Sequence, residues 1–246
     1  MSADSSLCFP TTFWTLVEEA RDPASHASRS ALDQLLRRYL KPLRFYLLLS
    51  RRVAADDVDD LLQGFLLSKV LEQDLIGKAD PARGKFRNLL LAAMNRYLAD
   101  EFRRNGRRRT AAAITTIDPP AAAASVRSNP LQAFELEWAR QILSRTLERF
   151  RESALSQGRQ SLWAIFEGRV LRPTLLDAEP IGYAQLTADF ELSSQEQAAN
   201  LLITAKRMFR RTLRQVVAEY AQDAAAIDQE IADLTQILSE AGSTGK

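Results

Sequence analysis

Residues 193–215, SSQEQAANLLITAKRMFRRTLRQ, contain neither glycine nor proline and place apolar residues at helical spacing. Ser193, followed three residues later by Glu196, predicts a capping box at the start of this helix. At about 100° per residue, the apolar side chains fall on one face, which must pack against other elements and so constrains the fold. The side chains predicted to be buried are Ala198, Leu201, Leu202, Ala205, Met208, Phe209, Leu213 and Val216.

The opposite face of this helix carries amides in its first half and arginines in its second half. Amide side chains can contact base edges in a major groove, and arginines can bind phosphates. A short helix predicted over 181–189 precedes it, so the pair is a candidate helix-turn-helix, although Glu191 occupies a turn that usually contains glycine. An ordinary bundle helix with a solvated polar face is the alternative. The candidate duplex-binding residues are Ser194, Gln195, Gln197, Asn200, Thr204, Arg207, Arg211 and Arg214.

The rest of the 246-residue chain also favours helices, because glycine and proline number only nine each. Residues 110–130, TAAAITTIDPPAAAASVRSNP, interrupt the helical pattern with Pro-Pro and with alanine, threonine and serine. Such a segment is typical of a linker. The expected fold class is therefore all-α, with two helical domains joined by a flexible linker.

Helical periodicity outlines the elements on both sides of this linker. Pro42 is expected to begin a new helix, because proline fits a first turn better than a helix interior. Loops are expected over 74–84 and 172–180. The predicted helical stretches are 11–21, 28–49, 56–73, 85–105, 129–150, 160–171, 181–189, 193–215 and 223–241.

The charges are segregated along the chain, although the formal net charge is only +2. Residues 103–109 contain five arginines, residues 206–214 contain one lysine and four arginines, and residues 219–240 contain six acids without a cation. Two basic patches predict contact with a polyanion at two places. Solvation of exposed helix faces is the alternative. The acidic last helix is expected to pack on the second domain or to shield a basic patch.

Several classes of protein are not favoured. One cysteine and one histidine exclude an intramolecular disulfide, argue against a zinc site and suit a reducing cytoplasm. The apolar runs are too short for a membrane span, and the first residues do not resemble an export signal. No phosphate-binding loop or nucleophile motif is present, so we expect no enzyme activity and no cofactor. A two-metal nuclease would need acids on separated elements, which the sequence alone leaves open.

Four segments occur in an order and spacing that resemble bacterial extracytoplasmic-function sigma factors of the sigma-70 family. They are PTTFWTLVEEARDP at 10–23, DDVDDLLQGFLLSKVL at 56–71, ADPARGKFRNLLLAAMNRYLADEFRR at 79–104 and IGYAQLTADFELSSQEQAANLLITAKRMFRRTLRQVVAEY at 181–220. The resemblance implies a sigma-two-like domain over 9–108, a linker over 109–128 and a sigma-four-like domain over 129–222. An acidic helix and tail over 223–246 lie beyond the usual end.

The resemblance also implies a function and its partners: a sigma factor that binds the beta and beta-prime subunits of core RNA polymerase and starts transcription at promoter DNA. The core-polymerase-binding residues would be Asp56, Asp57, Asp59, Asp60, Leu61, Gln63 and Phe65. The residues for the minus-ten element would be Lys78, Arg83, Lys85, Arg87, Asn88, Asn95, Arg96, Arg103, Arg104, Arg107 and Arg108. Asn95 matches an asparagine of the family's melting helix, whereas Phe86 and Tyr97 are expected in the core. The helix over 193–215 would bind the minus-thirty-five element.

Two questions stay open at this point. Related branches of the family are encoded beside Ser/Thr kinases, which leaves control by a kinase or by another regulator undecided. A stand-alone helix-turn-helix repressor or activator would bind duplex DNA without polymerase, usually as a symmetric dimer. Under either interpretation, the expected location of the protein is the cytoplasm.

Overall fold

The computed structural model describes residues 13–21, 26–50, 53–72, 74–80, 83, 85–112, 129–221 and 223–244. These residues form helices and turns without any strand, which confirms the all-α prediction. Their α-helices are α1 (Phe13–Ala20), α2 (His26–Leu48), α3 (Val58–Phe65), α4 (Phe86–Ala112), α5 (Pro130–Ser156), α6 (Gln160–Phe166), α7 (Arg172–Leu176), α8 (Tyr183–Asp189), α9 (Gln195–Ala218) and α10 (Ala224–Thr244).

Shorter helical turns extend two of these helices. A 3-10 turn (Ala55–Asp57) leads into α3, and π-helical segments continue α3 (Leu66–Glu72) and α6 (Glu167–Leu171). The chain divides into two compact units, one with the described residues of 13–138 together with 237–244, and one with residues 139–236. The predicted linker over 109–128 falls mainly outside the described residues, although α4 continues as far as Ala112.

Helix α2 does not break at Pro42, so the prediction of a new helix there is wrong. Proline removes one hydrogen bond of the helical ladder and costs about 3 kcal/mol in an interior. The flanking apolar residues Tyr39, Leu43 and Leu47 are all buried. Each such side chain contributes roughly 1.5–3 kcal/mol on burial, which offsets the defect.

Aromatic rings form the core of the first unit. Tyr39 of α2 stacks on Trp138 of α5, with 5.0 Å between the ring centroids and planes only 6° apart. Phe86 of α4 meets Tyr39 at 5.4 Å and Trp14 of α1 at 6.4 Å, both edge to face. Such pairs contribute about 0.5–1.5 kcal/mol beyond the buried area. The expectation that Phe86 and Tyr97 belong to the core is confirmed.

The second unit is built around Phe150 of α5, which is fully buried. Its ring contacts Trp163, Phe166 and Phe209 at centroid distances of 5.6, 5.0 and 6.2 Å. Sequence periodicity placed α6 correctly but missed α7, which lies in the predicted loop over 172–180. Helix α7 ends at Asp177, whose φ of 51° is left-handed and stops helical propagation.

Candidate nucleic-acid interfaces

Helices α8 and α9 of the second unit form a helix, a short turn and a longer helix, as the sequence predicts. The cap of α9 lies one residue later than predicted. The Ser194 side chain, not that of Ser193, accepts a hydrogen bond from the Gln197 backbone N–H at 3.2 Å. The Gln197 side chain reaches back and accepts from the Ser193 backbone N–H at 2.7 Å. Because these two contacts satisfy orphan donors reciprocally, they form a shifted capping box.

The turn between the two helices requires a left-handed residue, and Glu191 supplies it with a φ of 50°. A residue with a Cβ atom pays roughly 1–2 kcal/mol for this conformation, whereas glycine adopts it freely. The backbone N–H of Leu192 donates to the Thr187 carbonyl at 2.9 Å and closes the turn. The chain therefore adopts the turn geometry despite lacking the usual glycine.

The buried face of α9 agrees with the periodicity of the sequence. Ala198, Leu202 and the neighbouring Ile165 and Leu186 form one buried cluster that joins α6, α8 and α9. Ala205 and Met208 pack farther along the helix against Phe150 and Phe166. The remaining predicted core residues, Leu201, Phe209 and Leu213, are half-buried, and Val216 is fully buried. Thr212 is also buried, and its hydroxyl donates to the Met208 carbonyl at 3.0 Å.

All eight candidate duplex-binding side chains are exposed on α9 and its cap. None of the described residues forms an ion pair with Arg207 or Arg211. Arg214 differs, because it bonds to Asp228 of α10. The structure thus brings the predicted amides and arginines together on one surface, the α9 stripe (194–214).

The end of α9 is anchored by a buried carboxylate. Glu219 follows the helix, is almost fully buried and pairs with Arg149 and, at 2.9 Å, with Arg145. Burial lowers the pKa of Arg145, and the Glu219 charge opposes that shift. The two arginines on α5 therefore fix the direction of α9.

At the start of α8, Arg169 fixes the chain in a similar way. Its guanidinium lies 3.9 Å above the Tyr183 ring and donates to the Ile181 carbonyl. A Cβ atom on Gly168 would lie only 2.7 Å from Ile181 Cδ1, so the absence of a side chain allows this close approach.

In the first unit, a cavity of about 250 Å³ lies between α1, the loop over 74–80 and the start of α4. Trp14, Phe86 and Leu89 provide apolar walls, and Arg21 ties α1 to this loop by donating to the Ala79 carbonyl. The polar lining residues are Lys78, Asp80, Arg83, Lys85 and Asn88. Aromatic walls with a cationic rim suit an unstacked base and its phosphates.

An exposed face of α4 continues from this cavity and includes several predicted minus-ten residues. Asn88, Asn95, Arg96 and Arg103 share it with Ala92 and Ala99, whose small side chains leave the helix open to approach. Asn95 Oδ1 accepts a hydrogen bond from the Tyr46 hydroxyl at 2.5 Å, which orients the amide.

Acids of the same helix engage the next arginines of α4. Arg103 bonds to Asp100, and Arg104 lies 2.8 Å from Glu101. The hydrogen bond from Arg103 lowers the pKa of Asp100, which therefore stays ionised. Exposed pairs of this kind contribute only about 0–1 kcal/mol, so a phosphate can replace the acid. The side chains of Arg107 and Arg108 lie outside the described residues.

Arg87 is not on this surface. Its side chain is buried, and its guanidinium carbon lies 5.8 Å from the centroid of the Trp138 ring. A cation packed on an aromatic face is stabilised where it is. The structure therefore places Arg87 in the core of the first unit and not among the exposed cations of α4.

The predicted docking helix presents an acidic surface. Asp56, Asp57, Asp59, Asp60 and Gln63 are exposed, Leu61 is half-buried, and Asp59 pairs with Arg44 at 2.9 Å. Phe65 is fully buried against Tyr97 and so contributes to the core, not to this surface. Sequence reasoning missed Leu67 and Leu71, which are 59% and 55% exposed on the π-helical segment. We call the exposed residues Asp56, Asp57, Asp59, Asp60, Gln63, Leu67 and Leu71 together the α3 surface.

The described residues contain no group of three or more histidine, cysteine, aspartate or glutamate side chains that could bind a metal ion. None of the described helices has the length and apolar character that a bilayer crossing requires. No protein-family model, curated protein or solved structure matches this chain.

Proposed function

We propose that this chain is an alternative sigma factor of the extracytoplasmic-function type. In this proposal the α9 stripe binds the duplex minus-thirty-five element, the α4 face and the adjacent cavity bind the melted minus-ten element, and the α3 surface binds core RNA polymerase. The chain itself catalyses no reaction and acts in the cytoplasm. A Ser/Thr kinase or another regulator would control its activity.

The observation that carries the proposal is the presence of two chemically different candidate DNA surfaces in one chain. The α9 stripe is an exposed face of a capped helix with cations in its second half, which suits the phosphates and base edges of a duplex. The cavity beside Trp14 is concave and aromatic, which suits a base outside its stack. A protein that binds only duplex DNA has no use for the second surface.

Base opening needs a source of free energy, and the cavity offers one. Extruding a base costs a few kcal/mol. Stacking on an aromatic side chain returns about 1–3 kcal/mol per base, and Trp14 is the aromatic wall that is not fully buried. Lys78 and Arg83 are exposed at the rim, where they can bind the phosphates of the displaced strand once Arg83 leaves Asp80, which lies 3.3 Å away.

The α3 surface combines charge with apolar area. Its acids suit a basic partner, and the exposed Leu67 and Leu71 supply an apolar contact beside them. Protein interfaces commonly combine an apolar centre with a polar rim. We assign this surface to the beta-prime subunit of the polymerase, and the contact with the beta subunit to the second unit.

The test is transcription in vitro with bacterial core polymerase and a promoter library, with and without the protein. We expect transcripts from a subset of promoters that share two elements, and co-purification of the protein with core polymerase. A matched variant, Leu67→Ala with Leu71→Ala, should lose polymerase binding and keep its fold, because both leucines are exposed.

Other outcomes would contradict the proposal. A stand-alone repressor or activator would bind duplex DNA tightly without polymerase and would produce no transcripts. A helical adaptor would bind no DNA even at low salt. Hydrolysis of DNA with added magnesium would indicate a nuclease.

A further inference from the structure

Ile203 is an exposed apolar residue at the centre of the α9 stripe. All residues of α9 are described, and Ile203 is the most exposed of its large apolar side chains, with 49% of its surface accessible. It lies three residues after Asn200 and four before Arg207, so these three side chains share one face. An apolar side chain between an amide and an arginine is well placed to meet a base edge flanked by a phosphate.

Helix stability does not explain this residue. Isoleucine is a poorer helix former than leucine, arginine or glutamine, and with about half of its surface accessible Ile203 gains less from burial than the core residues of α9. Its branched side chain does, however, favour one rotamer in a helix, so little conformational freedom is lost when a ligand covers it. A rigid apolar side chain is suited to contact between fixed surfaces.

The chemistry of the major groove supplies the matching group. Among the four bases only thymine presents a methyl group there, and apolar side chains contact that group. We propose that Ile203 contacts the 5-methyl group of one thymine in the duplex element and thereby contributes to sequence specificity. This inference rests on the proposed function, because it requires α9 to lie in the major groove.

The test truncates both sides of the contact, the 5-methyl group of thymine and the Ile203 side chain beyond Cβ. The duplex element is first selected with holoenzyme, and each thymine in it is then replaced by deoxyuridine, which lacks only the 5-methyl group. With the wild-type protein, we expect one replacement to weaken holoenzyme binding roughly fourfold, the effect of burying one methyl-sized group. Ile203→Ala should weaken binding to the thymine duplex and should no longer distinguish thymine from deoxyuridine.

A matched variant controls for a general loss of affinity. Arg210 is exposed on the same helix, so Arg210→Ala should weaken both duplexes equally and retain the fourfold preference for thymine. The inference is overturned if no deoxyuridine replacement affects the wild type, or if Ile203→Ala keeps the preference. Promoter-specific transcription that persists in those cases leaves the proposed function intact, whereas its absence from the wild type overturns both.

Discussion

The two arginine-bearing helices, α4 and α9, carry similar side chains in different electrostatic settings. On α4, Arg103 and Arg104 are engaged by acids three residues earlier. On α9, five cations follow a single acid, Glu196 in the first turn, and none of the described residues forms an ion pair with Arg207 or Arg211. Arg207 and Arg211 could therefore meet a phosphate directly, whereas Arg103 and Arg104 would first have to leave Asp100 and Glu101.

The ion pairs at these two helices also differ in how deeply they are buried. On α4 the arginines of both pairs are exposed and their acids are half-buried, whereas Glu219 at the end of α9 is buried between two arginines. The sequence does not show this difference, because the segments RRNGRRR (103–109) and KRMFRRTLR (206–214) are comparably basic. Solvent exposure decides which charges position a helix and which remain available to a ligand.

The largest effect is expected from removing the buried carboxylate. Glu219→Ala leaves two arginines of α5 facing each other, and breaking a fully buried pair costs about 3–5 kcal/mol. Because Arg145 and Arg149 remain 30% and 34% exposed, we expect a smaller loss of unfolding free energy, about 2–3 kcal/mol. Urea denaturation measures it. The matched change on α4, Asp100→Ala, should cost less than about 1 kcal/mol, and equal losses would remove the contrast.

The next effect concerns phosphate binding. Arg207→Ala with Arg211→Ala should weaken closed holoenzyme–promoter complexes roughly 10- to 100-fold. The salt slope should fall by about 2, one for each lost phosphate contact. Binding at several salt concentrations and at a temperature too low for melting measures both. Arg103→Ala with Arg104→Ala serves as the matched control and should change closed complexes less than about threefold.

Substitutions in the cavity of the first unit should change promoter melting but not the formation of closed complexes. Trp14→Leu keeps an apolar contact with Phe86 but removes the stacking surface, so the open complex should become roughly 5- to 100-fold less populated. A fluorescent base analogue in the minus-ten element reports the unstacking. Trp14→Phe should behave like the wild type. A Trp14→Leu protein that melts promoters normally would show that the cavity does not bind a base.

The smallest effect is expected at the turn before α9. Glu191→Gly relieves the left-handed strain but increases the freedom of the unfolded chain, so the net stabilisation should be about 0.5–1 kcal/mol. Thermal unfolding measures it. Glu191→Ala retains a Cβ atom and should bring no gain. A higher stability of Glu191→Ala would mean that the charge of Glu191, and not its left-handed backbone conformation, is unfavourable.

Much of the fold follows from local pattern. The apolar period of α9 identified its buried face, because a helix repeats every 3.6 residues whatever its neighbours are. The cap was misplaced by one residue, since Ser193 and Ser194 can both accept the required bond. Pro42 was misjudged because its cost is local, whereas the burial that offsets it depends on distant residues.

The candidate surfaces were harder to predict, because they depend on contacts between distant parts of the chain. Arg87 is basic like its neighbours, and only the position of Trp138, far along the sequence, shows that it is buried. Phe65 faces inward for a similar reason, through its contact with Tyr97. Ile203 was missed because polar character alone was used to define the exposed face, although its spacing from Asn200 and Arg207 was already visible.

The bond between Arg214 and Asp228 has a practical consequence for fragments of this protein. A fragment that stops before α10 removes the acid that engages the last arginine of the α9 stripe. Such a fragment would present more unopposed positive charge than the intact chain. Its measured affinity for nucleic acid would therefore be higher than that of the intact chain.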